Sequence, residues 1–312
     1  MTASQLISAF MLSRRNRLIW KLVLIICMFG LLALAYSYFI EPNRIVVNQQ
    51  TLEIKGWDPA LDGFKIVAIG DIHGGSNAVD EAKLRKIVEL TNQQNPDLIV
   101  LLGDYVSQYG SGPVSGRLIR MPVEAIAAGI GGLQAKYGVV AVLGNHDDWY
   151  DGVKVSQAIR SDNYLVLEDE VAAFNFNGHS LRILGLRDQL HIANWAAYSK
   201  HLKDVIAIDG GSGPIIVLEH SPDVLPIITG NLSISPDLRL MLAAHTHGGQ
   251  VWLPIIGTPI VPSSYGQKYS YGHKQENGVD MFVTGGVGTS ILPFRFMMPP
   301  EIAVLTIRSA GQ

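Results

Sequence analysis

The stretch Ile99 to Ser107, IVLLGDYVS, decides how the rest of this sequence reads. With Leu98 before it, the run to Leu102 is five consecutive apolar residues, the pattern of a strand buried on both faces in a parallel sheet. Gly103 then frees the backbone to turn sharply. Asp104 is therefore expected at the carboxyl end of a strand, the edge at which open α/β sheets bind their ligands. An acidic side chain placed there by a wholly apolar strand is a candidate metal ligand or base.

Four other segments repeat the arrangement. Phe64 to Ile69 reads as a strand ending in Gly70-Asp71-Ile72-His73-Gly74-Gly75, followed by helical spacing between Val79 and Gln94. Val139 to Leu143 ends in Gly144-Asn145-His146-Asp147, with a helical segment from about Val153 to Ser161. Ile215 to Leu218 ends in Glu219-His220-Ser221-Pro222-Asp223, where Ser221 can cap a helix whose first residue is Pro222. Leu238 to Ala244 ends in His245-Thr246-His247-Gly248-Gly249-Gln250. Between these lie a Gly/Ser-rich loop from Gly110 to Gly116 and a helix from about Pro122 to Lys136. Asn177-Gly178 is a hairpin turn signal between Ala172–Phe176 and Ser180–Leu184. A helical stretch around Ala193 to Lys203 and strands at Val279–Thr284 and Ile302–Ile307 complete an α/β pattern.

The polar residues at these strand ends are Asp71, His73, Asp104, Asn145, His146, His220, His245 and His247. All offer oxygen or imidazole donors. An Asp-x-His or His-x-His pair at the end of a strand directs both side chains to the same side, as chelation needs. A donor set without thiolate suits Mn, Fe or Zn better than a structural thiolate zinc site or calcium. It is too large for one ion. Two ions about 3.5 to 4 Å apart, joined by a bridging carboxylate, would use it fully and suit in-line displacement at phosphorus.

GDIHGG, GDYVS, GNHD, EHSPD and AHTHGGQ, in that order from Gly70 to Gln250, resemble the motifs of the calcineurin-like metallophosphoesterases, and within them a membrane-associated phosphodiesterase branch. The resemblance covers Phe64 to Ile307. It implies a four-layer αββα sandwich of two mixed β-sheets. It also implies a first divalent metal on Asp71, His73, Asp104 and His247, and a second on Asp104, Asn145, His220 and His245, with Asp104 as the bridge. Manganese is the expected metal, with Fe or Zn as alternatives. His146 resembles the family's non-ligand histidine, which stabilises the phosphoryl oxygens or protonates the leaving group, and the implied attack is by a metal-bridging hydroxide. Ala244 departs from the glycine that many relatives carry before the first histidine.

Leu22 to Ile40 is an apolar run close to the ~20 residues that a helix needs to cross a bilayer. Arg14, Arg15, Arg17 and Lys21 precede it, so the positive-inside rule puts the N-terminus in the cytoplasm and the remainder outside. Ser13-Arg14-Arg15 resembles the start of a twin-arginine export signal and Ala33-Leu34-Ala35 a cleavage site, yet the run exceeds the ~7 to 15 residues of a signal core, and a retained anchor is expected. The expected organisation is a basic cytoplasmic segment over residues 1–21, an inner-membrane anchor over 22–40, a linker and domain entry over 41–63 with strand-like alternation from Ile45 to Ile54, and the metallophosphoesterase domain over 64–312, on the periplasmic face.

The net charge of -3 leaves no basic footprint, so nucleic acid is not expected as a partner. The single cysteine, Cys27, lies in the apolar run and is read as a lipid-facing or packing residue. The expected partners are the bilayer and a lipid-linked or cell-envelope phosphate substrate. Some relatives in this branch cleave the pyrophosphate of UDP-2,3-diacylglucosamine, which makes that lipid A precursor activity the alternative, although it belongs to the cytoplasmic face. A non-catalytic metal-binding membrane module is the reading from another class. His179, His191, His201 and His273 lie in no motif and are read as surface or satisfied histidines. Asp147, Asp148 and Trp149 are candidates for the substrate rim, with packing the alternative for Trp149, and Gly74, Gly75, Gly248 and Gly249 are candidates for close backbone approach to the metals, ordinary turn residues, or both. Arg187 is a candidate phosphate clamp or a surface ion pair. Leu292 to Pro300, apolar and proline-rich, forms either a lip touching the bilayer or a cover for the core.

Overall fold

In the computed structural model, residues 3–109, 118–176 and 178–311 are described, the first thirteen of them by backbone alone. The expected loop at Gly110–Gly116, the turn residue Asn177 and the side chains of Arg14 and Arg15 lie outside the described residues.

Helix α1 runs from Ala3–Phe39, so the segment read as a separate basic terminus continues into the apolar helix. Its candidate membrane span is Asn16–Asn43, with none of the most apolar window buried in the protein. Then follow β1 (Val46–Ile54), β2 (Phe64–Ile69), α2 (Glu81–Asn92), β3 (Leu98–Leu102), β4 (Gln108–Tyr109), β5 (Leu118–Ile119), α3 (Val123–Ile130), β6 (Val139–Val142), α4 (Asn145–Arg160), β7 (Leu165–Val166), β8 (Glu170–Phe176) and β9 (His179–Gly185). The remainder comprises α5 (Trp195–Asp209), β10 (Ile215–Leu218), α6 (Leu225–Thr229), β11 (Leu238–Ala243), β12 (Gly272–Glu276), β13 (Val279–Val283) and β14 (Glu301–Ser309).

Two mixed six-stranded sheets form the centre, ordered β1-β14-β2-β3-β6-β7 and β12-β13-β11-β10-β9-β8. Strand β3 shows how one apolar run builds three layers. Leu98, Val100 and Leu102 point between the sheets, against residues such as Ile216, Leu218, Leu240 and Leu242. Ile99 and Leu101 point outward, beneath Leu84, Ile87 and Ile126 of α2 and α3. A third core lies under α5 and α6, around Leu202, Leu225 and Met241. Helices on both outer faces and two sheets between them give the expected αββα sandwich.

Several boundaries differ from the reading of the sequence. The strand-like alternation expected at Ile45–Ile54 is β1, which is no linker but pairs in parallel with β14 over nine residues, Val46↔Glu301 to Ile54↔Ser309, as an edge of the first sheet. Its alternation is that of a strand with one covered face. Helix α3 stops at Ile130 rather than near Lys136, because Gly131 and Gly132 follow and glycine is a poor helix former. Helix α4 begins at Asn145, eight residues earlier than expected, because Asp147 accepts from the Gly144 N–H and so caps the first turn. Extended dihedrals at Asp151 interrupt that helix, which is why its periodicity is visible only afterwards. Ser221 caps a short 3₁₀ turn, Pro222–Val224, ahead of α6.

Candidate functional site

The carboxyl ends of β2, β3, β6, β10 and β11 meet at one edge of the sandwich, and all eight candidate residues are carried there. Regular strand alternation does not place them. Asp71, His73, Asp104, His245 and His247 all have positive φ, between 46° and 70°, where a side chain is normally disfavoured. Such strain persists only where the surroundings over-determine it, and it concentrates at functional sites. For Asp71 and His73 the outcome is the expected one, a shared cluster. His245 and His247 instead diverge: His245 Nδ1 lies 3.2 Å from His220 Nε2, and His247 Nε2 lies 3.2 Å from His73 Nε2.

Asp104 lies between the two histidine pairs. Its Oδ2 is 3.4 Å from His73 Nε2 and 3.3 Å from His220 Nε2, while its Oδ1 accepts from the His146 N–H at 2.8 Å. Potential ligand atoms of Asp71, His73 and His247 lie within 4.8 Å of one another, as do those of His73, Asp104 and His146, and those of Asp71, Asp104 and His220. Donor separations of 3.2 to 3.6 Å match those of ligand atoms about 2.1 Å from a shared cation. Asp71 Oδ2, Asn145 Oδ1 and His146 Nδ1 are also buried without a hydrogen-bond partner among the described residues, a cost that a bound cation or substrate would remove. The residues present therefore fit a divalent metal site.

Partners behind the ligands fix their tautomers. The Nδ1–H of His73 donates to the Val106 carbonyl at 3.0 Å, and the Nδ1–H of His220 to the Leu102 carbonyl at 2.7 Å, leaving each Nε2 directed into the site. Burial holds His73 and His245 neutral, with pKa values pushed down to about 3, and pushes His247 well below the usual range. Burial also opposes charge on His220 and Asp104, but their mutual attraction outweighs it, raising the imidazole and lowering the carboxyl. Asp71, desolvated and close to Asp104, is raised to about 7. Three neutral imidazoles, His73, His245 and His247, beside the ionised Asp104 and an Asp71 crowded enough to resist ionisation are an arrangement that a cation stabilises.

Glycines govern how closely the segments approach. A Cβ on Gly103, whose φ is +83°, would come within 2.5 Å of the Gly144 backbone nitrogen, and one on Gly70 would come within 2.5 Å of the Ala244 Cβ. Gly286, not identified from the sequence, lies against Asp71, 2.6 Å from where a Cβ would meet that side chain's own. Gly74 and Gly75 admit Ile126 and Arg120, and Gly248 and Gly249 admit Met298 and Thr258, so close packing of these side chains also calls for glycine at the four positions.

Asp147 is not at the rim. It is fully buried and accepts from the N–H groups of Asp104, Tyr105, Val106 and Gly144 at 2.8 to 3.1 Å, holding two ligand loops together. Asp148 pairs with His191 at 2.9 Å. The Trp149 ring packs edge-on 5.0 Å from that of His146. Arg187 is exposed and pairs with buried Asp169, the ion-pair reading rather than the clamp. His179 and His273 likewise hold Asp58 and Asp280. Sequence reasoning also missed Arg295, which is fully buried and donates to the carbonyls of Gly285, Gly286, Gly288 and Met298. It supports the loop that packs on Asp71, and its one signal was a lone charge inside an apolar, proline-rich stretch.

A sandwich of this kind with such a donor cluster defines a metal-dependent phosphoesterase, and residues 64–249 match the family model for calcineurin-like phosphoesterases. The chain belongs to that family and is a hydrolase of its class. It is 28% identical to the uncharacterized metallophosphoesterase YkuE of Bacillus subtilis (strain 168), over 88% of this chain and 90% of that one. It is 26% identical to the phosphodiesterase YaeI of Escherichia coli (strain K12), over 87% and 92%. A transmembrane protein with metallophosphoesterase domain from Danio rerio is 26% identical over 86% of this chain and 58% of its own length.

Proposed function

We propose that this phosphoesterase is a membrane-anchored, dinuclear enzyme that cleaves a phosphodiester or pyrophosphate bond in a lipid-linked or cell-envelope substrate. The observation that carries the reading is the position of Asp104 Oδ2, 3.4 and 3.3 Å from one histidine of each pair. One divalent ion would rest on Asp71, His73, Asp104 and His247, and the other on Asp104, Asn145, His220 and His245, Asp104 being shared. Divalent cations bound here, Mn²⁺ by preference for this oxygen and imidazole set, supply a nucleophile at neutral pH by acidifying water and offset negative charge on the phosphoryl oxygens.

The chain's own residues do the rest. Asp147 fixes the ligand loops, the Leu102 and Val106 carbonyls hold His220 and His73 in one tautomer, and Trp149 steadies the His146 ring. His146, partly exposed, has a buried Nδ1 without a partner among the described residues and is placed to bind a phosphoryl oxygen or give a proton to the leaving oxygen. A binding module without catalysis has no use for such a group. His146→Ala should keep the metal content within error and cut turnover of an aryl phosphodiester by about 10² to 10⁴. Unchanged turnover would remove His146 from the mechanism.

The basic residues that precede the apolar run of α1 favour an outward-facing catalytic domain in an inner membrane. A C-terminal reporter active only outside the cytoplasm should be active. A silent reporter on stable protein would reverse the orientation and restore the alternative, cytoplasmic lipid-precursor substrate.

A further inference from the structure

The carboxyl end of α1 is built into the mouth of the metal site. Ser37, Glu41 and Pro42 are buried, unlike the apolar face before them. The Arg295 N–H donates to the Ser37 carbonyl, Asn77 Nδ2 to the carbonyls of Tyr38 and Pro293, and Lys83 Nζ to those of Pro42 and Val287, at 2.7 to 3.0 Å. A cleft of about 460 Å³ is lined by Tyr38 of the helix and by Asn77, Arg120, His146, Ser290 and Ile291. The helix that enters the membrane thus supplies one wall of the cleft that contains His146.

Around the helix exit lies an apolar collar. The 250–257 loop is joined to the 292–297 loop by the Trp252 N–H to Phe296 carbonyl and Phe296 N–H to Gln250 carbonyl bonds, and that loop is in turn bonded to α1. These loops expose Ile255 and Ile291 almost completely, at 106% and 93%, with Ile256, Ile260 and Met297 beside them and Phe39 and Ile40 on the helix. Ile255 has φ +73°, Ile291 φ +60° and Met297 φ +55°. A β-branched residue in left-handed backbone is a genuine outlier, and presenting its side chain to water adds a second unfavourable feature. The exposure is relieved if those side chains rest in lipid, and the strained backbone is what aims them outward.

We propose that the collar sits in the headgroup region of the leaflet that α1 enters, with Ile255 and Ile291 inserted among the lipids. The cleft then opens onto the bilayer surface and receives a phosphoester whose apolar tail stays in the leaflet. The delivery step rests on the phosphoesterase reading above; the seating of the collar does not. Polar Asn77, Arg120 and Ser290 face the head of such a ligand while Ile291 faces its chain.

The sole cysteine makes the test direct. In full-length Cys27→Ser protein in phosphatidylcholine–phosphatidylglycerol nanodiscs, spin labels at Ile255→Cys and Ile291→Cys should relax with oxygen and be shielded from a soluble nickel chelate. A label at Ile208→Cys, exposed on α5, should show the reverse. Labels at 255 and 291 as open to the chelate as the one at 208 would overturn the seating. For delivery, hexadecyl and methyl p-nitrophenyl phosphate present the same scissile bond with and without a tail. Ile255→Ser/Ile256→Ser should lower kcat/KM for the hexadecyl ester at least about tenfold and leave the methyl ester unchanged. Equal loss for both esters, or none, would overturn delivery by the collar. A metal-loaded protein that cleaves neither ester in any form would sink the phosphoesterase reading, and the label result would still stand or fall by itself.

Discussion

Asp147 is the residue whose change should show most about how the site is held. One carboxylate oxygen accepts from the N–H groups of Asp104 and Gly144 and the other from those of Tyr105 and Val106. In Asp147→Asn the amide oxygen can keep one pair, but the NH₂ group faces the other pair donor to donor. Two buried N–H groups lose their acceptor at about 1 to 3 kcal/mol each, and the remaining bonds lose their charge assistance, so the change should cost about 3 to 6 kcal/mol. For a domain of this size that lowers Tm by roughly 6 to 24 °C. The two released loops carry Asp104, Asn145 and His146, so the variant should also lose bound Mn²⁺ in dialysis against buffer, measured by elemental analysis beside the thermal scan. Asp147→Ala leaves all four donors unpaired and should not yield folded protein. An Asp147→Asn protein with Tm within about 2 °C of the parent and full metal content would refute the account, because a rim residue would behave in that way.

Gly70→Ala brings its methyl within 2.5 Å of the Ala244 Cβ and should cost about 1 to 3 kcal/mol; the double change with Ala244→Gly should recover most of the loss in a urea titration, and no recovery would place the clash elsewhere. Chelation should lower Tm, since cations that bind only folded protein stabilise it by about 2.7 kcal/mol at a hundredfold excess over Kd, and an unshifted Tm would mean that the cluster holds no ion. Lys83 is buried with two carbonyl partners and no carboxylate bonded to it, and burial lowers its pKa to about 7. Below pH 7 both folded and unfolded chains carry its proton and its effect on stability is flat; from pH 7 towards 10.5 the unfolded chain binds more protons, so stability rises. Relative to Lys83→Met, the parent should gain about 2 to 3 kcal/mol between pH 7 and 9, whereas a pH-independent difference would show that the amine stays charged when folded.

The frame of the molecule was legible because its central strands are apolar on both faces. Leu98 to Leu102, Val139 to Val142 and Ile215 to Leu218 each lie between two packed layers, so an uninterrupted apolar run was the signature to read, and the polar residues that follow each run mark the ligand edge. What stayed hidden depends on partners distant in sequence. The pairing of β1 with β14 joins segments about 250 residues apart, and Gly286 is needed only because Asp71 folds against it. Asp147 looked like a rim residue because nothing in GNHD indicates that its carboxylate turns back onto the GDYV loop. Arg295 was concealed by apolar neighbours, the usual setting of a surface lip, although the fold uses its guanidinium as an internal brace.

The distribution of strain links the site to the membrane helix. Positive φ at Asp71, His73, Asp104, His245 and His247 costs of order 1 to 3 kcal/mol per residue, and a fold stable by about 5 to 15 kcal/mol cannot carry that without compensation. Part of the compensation is visible: Asp147 ties the Asp104 loop to the Asn145 helix, and the His245 N–H donates to Asp71 Oδ1 at 3.1 Å, tying the β11 edge to the β2 edge. The Gly285–Gly288 loop closes over Asp71 and is itself gripped by Arg295 and by Lys83, which also holds the Pro42 carbonyl at the end of α1. The helix exit is therefore a structural member of the site as well as its tether. Removing α1 at residue 40 would leave Asn77 and the Arg295 backbone N–H without acceptors that they use in the intact chain, so a truncated domain should bind metal less tightly than the whole protein even in the absence of any bilayer.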